Sequence, residues 1–531
     1  MAATAVTAGL SDAQLESALD ALRAVVGAEH VLTGEDAQEF RDPFWYRGWP
    51  QYDASAVVQP ATAEEVQAIV RIANERGVPL WTTSQGRNNG YGGSSPRVQG
   101  SVVMNLRRMN RVLEIDAQLG YAVVEPGVRW TDLYEAITEK GYRLMLSIPD
   151  LGWGSVIGNA LDHGITYMPY GQDFQTLCGL EVVTADGELL RTGMGAMPDS
   201  QAWHLYRRGL GPTLDPLSMQ SNFGVVVKAG VWLMPMPETY APIWLTAWKE
   251  EDLIAIIDTV RRLRLDRTLE GIPRLYNTVV FASLMAERSR WYDGEGPTPD
   301  HIIDQIARDL GVGRWAMSMA LWEDDAIADY KLAKITAAFE QIPGVEVRSS
   351  KHTPEDIPKL ENHSERVLGG VPAMEWLQML RWYGSDAGAH LGNGLVAPLV
   401  GEEAWRLHTL IRGIVERAGL DYVCSPMVIN ARSFVHACGA TWDVSSEEET
   451  RRSYDMCKTI VREAAKAGFG EYRAHLDYMD LAADTYSFGD HAYRRFVEKV
   501  KDAVDPNGIL APGKQSIWPA SYRDGGALEA R

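Results

Sequence analysis

Apolar residues recur along this chain at helical and strand spacings, and the two periods alternate. Ser11-Asp-Ala-Gln14 has the form of a capping box and opens a helix predicted to run to about Val26. A short strand is expected over 55–58. Thr62-Ala-Glu-Glu65 is a second capping box, and Val66, Ile69, Val70 and Ala73 form one apolar face of the helix it starts. Gly77 ends that helix, and 78–83 reads as a strand running into a glycine-rich loop, 85–95. Another strand-like run, 100–106, follows. A Rossmann fingerprint would place its glycines after the first strand and before a helix, so this order disfavours that fold. Segments 112–115 and 121–125 pattern as a hairpin, and 131–140 as a helix ended by Gly141. Segments 180–184 and 188–192 flank Asp186-Gly187, a two-residue hairpin turn. An apolar strand run follows at 224–234.

Pro235 and Pro237 mark a boundary, after which the pattern changes. Strand 244–248, helix 252–263, strand 315–321, helix 325–341 and strand 345–348 describe an antiparallel sheet backed by helices. One long helix is expected over 447–467. From about 496 a helix leads into Pro506-Asn-Gly-Ile-Leu-Ala-Pro-Gly-Lys514, a turn-rich tail with little room for its own core, expected to pack back on the first part. The class is α+β, divided into 1–238, 239–469 and a returning segment 470–531. The aromatic run Phe44-Trp-Tyr-Arg-Gly-Trp49 acquires no role from pattern alone.

Across 531 residues, 71 acidic against 51 basic side chains give a formal charge of −20. That excludes nucleic acid and anionic membrane as expected partners. No stretch reaches membrane-spanning length, and residues 1–10 lack a basic region followed by an apolar core, so a cytoplasmic protein is expected. Cys178, Cys424, Cys438 and Cys457 are scattered without Cys-x-x-Cys spacing, so neither a metal cluster nor a disulfide framework is expected.

Four places could carry chemistry. In the 85–95 loop, Gly86, Gly90, Gly92 and Gly93 suit an anion-binding nest, although glycine content alone fits a flexible loop as well. Arg87, Asn88, Asn89 and Tyr91 stand among them. Pro149-Asp-Leu-Gly-Trp-Gly-Ser-Val-Ile-Gly-Asn159 is a second glycine-rich loop or a tight turn. Asp150, in an apolar, glycine-lined setting, would have its charged form disfavoured, which suits acid/base work. Tyr472 and Arg473 in Gly470-Glu-Tyr-Arg-Ala-His475 can bind a phenolate or carboxylate, but such a pair is commonly a surface contact. His390, within Asp386-Ala-Gly-Ala-His-Leu-Gly392, could be a satisfied core histidine, as could His436 and His475. No Ser-His-Asp order or His-Glu-x-x-His spacing is present.

With Tyr170-Gly171, Leu190-Arg-Thr-Gly-Met-Gly-Ala196, Gln220-Ser-Asn222 and Pro506 to Lys514, these segments resemble the vanillyl-alcohol oxidase/para-cresol methylhydroxylase flavoprotein family, in its 4-phenol oxidising branch. The resemblance covers nearly the whole chain. It implies a two-domain PCMH-type FAD-binding fold with an antiparallel-sheet cap over the substrate. FAD would lie on the loop from Gly86 to Gly93. Further contacts would come from Pro149, Leu151, Gly152, Trp153, Gly154, Ser155 and Asn159. Tyr170, Gly171, Gly224, Val225, Val226 and Lys514 would complete the cofactor site.

His390 matches the family's covalent flavin-linking histidine. Relatives that pass electrons to a cytochrome tend to use a tyrosine, and Tyr383 is nearby. Tyr91, Tyr472 and Arg473 match the trio that binds a para-substituted phenol as phenolate. Asp150 matches the carboxylate that assists hydride transfer to flavin N5 and activates water for the quinone methide. Oxygen would be reduced to hydrogen peroxide by a homodimeric oxidase of 4-alkyl, 4-allyl or 4-hydroxymethyl phenols, such as eugenol or vanillyl alcohol. A cytochrome-linked dehydrogenase, an oxidase of sugars or alditols and a non-catalytic flavin-binding scaffold are the rivals.

The chain departs from the family pattern at Ser147-Ile148, Ile165, Tyr167, Gln172-Asp173 and Gly392-Asn-Gly394. If Ile165, Tyr167, Gly392 and Gly394 line the substrate pocket, the small residues at 392 and 394 leave room for a ring with two methoxy groups.

Overall fold

The computed structural model describes residues 6–171 and 176–523. The Ser11 box forms in full: Ser11 Oγ accepts from the Gln14 amide, and the Gln14 side chain accepts from the Ser11 amide at 2.9 Å. The Thr62 box differs in one partner. Thr62 accepts from the Glu65 amide at 3.2 Å, but Glu65 takes the amide of Ala61, one residue earlier, at 2.6 Å. The resulting helices, Asp12–Val26 and Ala63–Arg76, share a core with a four-stranded sheet. Its order is Val31–Leu32, Ala56–Val58, Val102–Asn105, Leu80–Thr83, and the last three strands are parallel. The 85–95 loop therefore leaves the end of an outer strand and returns to its parallel neighbour without an intervening helix.

Both expected hairpins form, and they join Val225–Trp232 in a five-stranded antiparallel sheet. The second half is built on one eight-stranded sheet whose pairings are all antiparallel. Gly388–Pro398 pairs with Ser433–Asp443 over its whole length and takes Gly470–Glu471 on its other side, as the sheet's edge. Three glycines and an asparagine give Gly388–Pro398 poor strand propensity; the long pairing overrides it.

The aromatic run 44–49 gains a role here. Phe44 and Trp45 enter the core of the large sheet, and Trp45 packs edge-on to Tyr454 at 4.8 Å. Beside it, His475 Nε2 donates to the fully buried Asp42 at 2.7 Å, while His475 Nδ1 accepts from the Asp477 amide. The first part is thereby clasped to the second. The tail lies against the four-stranded sheet: Leu80 donates to Ile509 O, and Ala511 donates to Leu80 O, both at 2.7 Å. Lys501 lies completely buried beneath it, donating to Asp505 at 2.6 Å and to the carbonyls of Asn222 and Leu510 at 2.7 Å. Burial pulls this amine down to about 8, against the pull of Asp505. Among the described residues no helix is long and apolar enough to cross a membrane.

Lys501→Met removes the cation and leaves the Asp505 carboxylate buried. Denaturant unfolding should show a loss of about 3 kcal/mol, as for other broken buried ion pairs.

Candidate active site

The 85–95 loop turns tightly enough to need its glycines. At Gly92, with φ +109°, an added Cβ would lie 2.1 Å from Leu476. The loop walls a large cleft, open to solvent, whose other walls include Ser155, Asn159, Asn222, 224–226 and Lys514. The amides of Gly86, Arg87, Asn88 and Gly92 donate to no acceptor among the described residues, and the buried Asn222 Oδ1 has no donor. A cleft with spare amides, a lysine and an acceptor fits an anionic cofactor such as FAD.

Four residues expected at the cofactor, Gly90, Gly152, Tyr170 and Gly171, line neither this cleft nor the cavity beside it. A Cβ on Gly152 would meet Pro372, and one on Gly171 would meet Thr166 O and Ile272. Asn89, Pro149, Leu151 and Trp153 wall the second cavity instead, and Gly90 backs onto His390.

That cavity, about 1040 Å³, meets the cleft at Arg87, Asn88, Tyr91, Gly154, Asn159 and Arg473. The structure brings Tyr91, Asp150, His390, Tyr472 and Arg473 together on its walls. The Arg473 guanidinium lies 4.1 Å over the Tyr91 ring. Its Nε donates to Asp162 at 2.9 Å, and its Nη2 to Asn88 Oδ1 at 2.7 Å. Asp162 also accepts from Asn88 at 2.9 Å and from Lys514 at 3.2 Å. Burial alone would raise this carboxyl; Lys514 and Arg473 pull it well below the usual range. Tyr472 is held by its amide to Gly394 O and by Gln220 to its own carbonyl, both at 3.1 Å. Burial raises the phenols of Tyr91 and Tyr472, so both stand neutral beside a fixed cation, with the Tyr472 hydroxyl donating to His163 O at 3.4 Å.

His390 Nδ1 donates to Ala440 O at 3.3 Å, which leaves the lone pair on Nε2. Burial pushes the imidazole down to about 4, so it is neutral near pH 7 and able to act as a nucleophile.

Asp150 departs from the expected apolar setting. Its Oδ1 is bound by Arg274, which is 1% exposed, and its Oδ2 accepts from the Tyr167 hydroxyl at 2.5 Å. The Arg274 guanidinium in turn stacks 3.9 Å over the Tyr167 ring. Asp150, part-exposed, is thus paired with a buried arginine and an orienting phenol. Neither Arg274 nor Asp162 stood out in the sequence; the one signal for Arg274 is an arginine opening the apolar run Arg274-Leu-Tyr.

The pocket expectation needs correction as well. Ile165 and Tyr167 line the cavity, but Gly392 and Gly394 do not. Gly392 faces Cys438 O and the His390 ring, and a Cβ on Gly394 would lie 2.6 Å from the Tyr472 ring. Gly394 makes room for a protein side chain and opens no space for a two-methoxy ring. Gln172 and Asp173 lie outside the described residues. Of the remaining histidines, His436 accepts from the Tyr422 hydroxyl at 2.6 Å beside Cys424 and His408. Burial pushes His436 down to about 3 and the Cys424 thiol up, which makes this a neutral core network.

The FAD binding domain family matches residues 54–193, and the C-terminal domain family of FAD linked oxidases matches 412–515. The chain is 33% identical over 522 residues to the 4-cresol dehydrogenase [hydroxylating] flavoprotein subunit of Pseudomonas putida, covering 96% of this chain and 97% of that one. Among solved structures, the 4-ethylphenol oxidase from Gulosibacter chungangensis, in complex with isoeugenol, superimposes with a TM-score of 0.93 at 37% identity, covering 97% and 99% of the two chains. The chain belongs to the vanillyl-alcohol oxidase/para-cresol methylhydroxylase family. Substrate-bound p-cresol methylhydroxylase is similar too, with a TM-score of 0.89 at 31% identity over 97% and 99% of the chains. Membership makes the chain an FAD-dependent oxidoreductase with a PCMH-type fold.

Gly394→Ala should press on Tyr472 and lower catalytic efficiency by about tenfold, with a smaller effect on thermal stability, in line with other overpacking changes. Efficiency equal to wild type would remove the constraint on Tyr472.

Proposed function

We propose that this protein is an oxidase of para-substituted phenols, with FAD attached through His390. The observation that carries the reading is the packing of Arg473 on Tyr91 beside Tyr472, at one wall of a cavity that also holds Asp150 and His390. The related proteins named above act on 4-cresol and 4-ethylphenol, both para-alkyl phenols. Bound FAD supplies a two-electron acceptor for hydride.

The protein's own groups do the rest. Arg473 and the two neutral phenols stabilise the substrate as phenolate. The charge moves electron density toward the para side chain, so its α-carbon loses hydride and the substrate becomes a para-quinone methide. Asp150, oriented by Arg274 and Tyr167, takes a proton from the water that adds to this carbon. Two electrons and two protons then pass to oxygen as hydrogen peroxide. A polyol offers no phenolate for Arg473 to hold, which disfavours a sugar or alditol substrate.

A dehydrogenase reading draws support from the Pseudomonas putida relative. Tyr383 argues against its tyrosine-linked form: its hydroxyl accepts from the Asp421 amide at 3.0 Å, donates to that carboxylate at 3.2 Å and stays off the cavity wall.

A panel of para-substituted phenols assayed under air should yield peroxide, and 4-ethylphenol should bleach the flavin under nitrogen. Bleaching without peroxide would convert the reading to dehydrogenase. His390→Ala should release flavin on acid precipitation. Arg473→Ala should cost about 2–5 kcal/mol in kcat/KM, the range for a lost buried charge partner.

A further inference from the structure

The Tyr472–Arg473 pair must be held against a strand from another part of the chain, and the residue before it does so. Glu471 is 4% exposed at the edge of the large sheet and does not line the cavity. Its Oε1 accepts from the amides of Gly394 at 2.8 Å and Arg473 at 3.3 Å; its Oε2 accepts from Asn393 Nδ2 at 2.8 Å. Asn393 and Gly394 follow His390 closely on the same strand. The Tyr486 hydroxyl donates to Glu471 O at 2.8 Å and closes the segment from the other side. The carboxyl therefore joins the phenol-binding pair to the strand of the flavin-facing histidine.

Its surroundings make the join responsive to pH. Burial pushes the Glu471 acid up to about 7, against three N–H donors that favour the carboxylate. The titratable groups packed around it are the phenols of Tyr91, Tyr472, Tyr478 and Tyr486 and the thiols of Cys438 and Cys457. Burial moves all of these upward. Arg473, the neighbouring cation, is held by Asp162. Glu471 is thus the member of this group that changes charge near neutrality. Once protonated, it needs an acceptor. Asn393 must turn to offer Oδ1, which is buried and otherwise without a partner, and the charge-assisted bonds become neutral ones of about half the strength.

We propose that Glu471 is a positioning residue for phenol oxidation: its carboxylate fastens Tyr472 and Arg473 to the His390 strand, and the fastening is tighter when it is ionised. This rests on the phenol-oxidation reading above. Ionisation increases with pH, so kcat/KM climbs through about pH 7 and falls on the acid side.

The test is the pH profile of kcat/KM for 4-ethylphenol, measured on FAD-loaded wild type and variants. Glu471→Gln keeps an acceptor for the two amides and a donor for Asn393 Oδ1, but cannot ionise. It should stay within about tenfold of wild type on the alkaline side and lose the acid limb. Glu471→Ala leaves buried donors unpaired and should lower kcat/KM at least about 30-fold at every pH, with flavin content unchanged. Asn393→Asp combined with Glu471→Gln moves the charge across the pair and should restore an acid limb. A Glu471→Gln profile that keeps the wild-type limb, or a wild-type limb of opposite sign, overturns the proposal, whether or not Glu471→Ala folds. A wild type that oxidises no phenol at any pH overturns the functional reading itself, which separates the two failures.

Discussion

One buried carboxylate ties this protein's parts together. Asp162 accepts from Asn88 of the glycine loop, from Lys514 of the C-terminal tail and from Arg473, which follows the edge strand of the large sheet. A carboxylate in that position would be costly if unpaired; with two cations and an amide around it, it becomes a fixed anchor. Arg473 is thereby set over Tyr91, and Asn88 binds both members of the pair. The cleft and the cavity beside it meet at this cluster, so the loop, the tail and the sheet edge must all be in register for either to have its shape.

The cavity is electrostatically two-sided. At one wall Arg473 stands with two neutral phenols. At another, Asp150 presents a carboxylate whose direction is set by Arg274 and Tyr167. Arg473 and Asp150 each have a charged partner outside the cavity, Asp162 and Arg274, while the Arg87 guanidinium lies over the Trp153 ring. Charges fixed in this way by partners act strongly on a bound ligand. His390, neutral and bonded through Nδ1, completes the wall with a lone pair.

Much of this was legible in the chain. The helix Ala63–Arg76 and the hairpins follow from caps, apolar spacing and Asp186-Gly187, where local rules suffice. The glycine loop, Asp150, His390 and Tyr472-Arg473 stand out as motifs. What sequence does not show is which charges meet. Asp150 and Arg274 are 124 residues apart, and Asp162 and Arg473 are 311 apart. That is why Asp150 reads as an isolated acid and proves to be paired. Gly392 and Gly394 read as pocket-widening residues because small side chains suggest space; here the neighbouring rings of His390 and Tyr472 take that space. The strand Gly388–Pro398 escapes propensity because its pairing is entirely long-range.

The central claim is that the Tyr91, Tyr472 and Arg473 cluster stabilises a phenolate. The direct measurement is the absorbance of 4-hydroxybenzaldehyde titrated into the FAD-loaded protein under nitrogen, at a pH where the free probe is protonated. A bound spectrum of phenolate form, lost in Arg473→Ala, is the predicted result. A bound probe that keeps its neutral phenol spectrum would contradict the account.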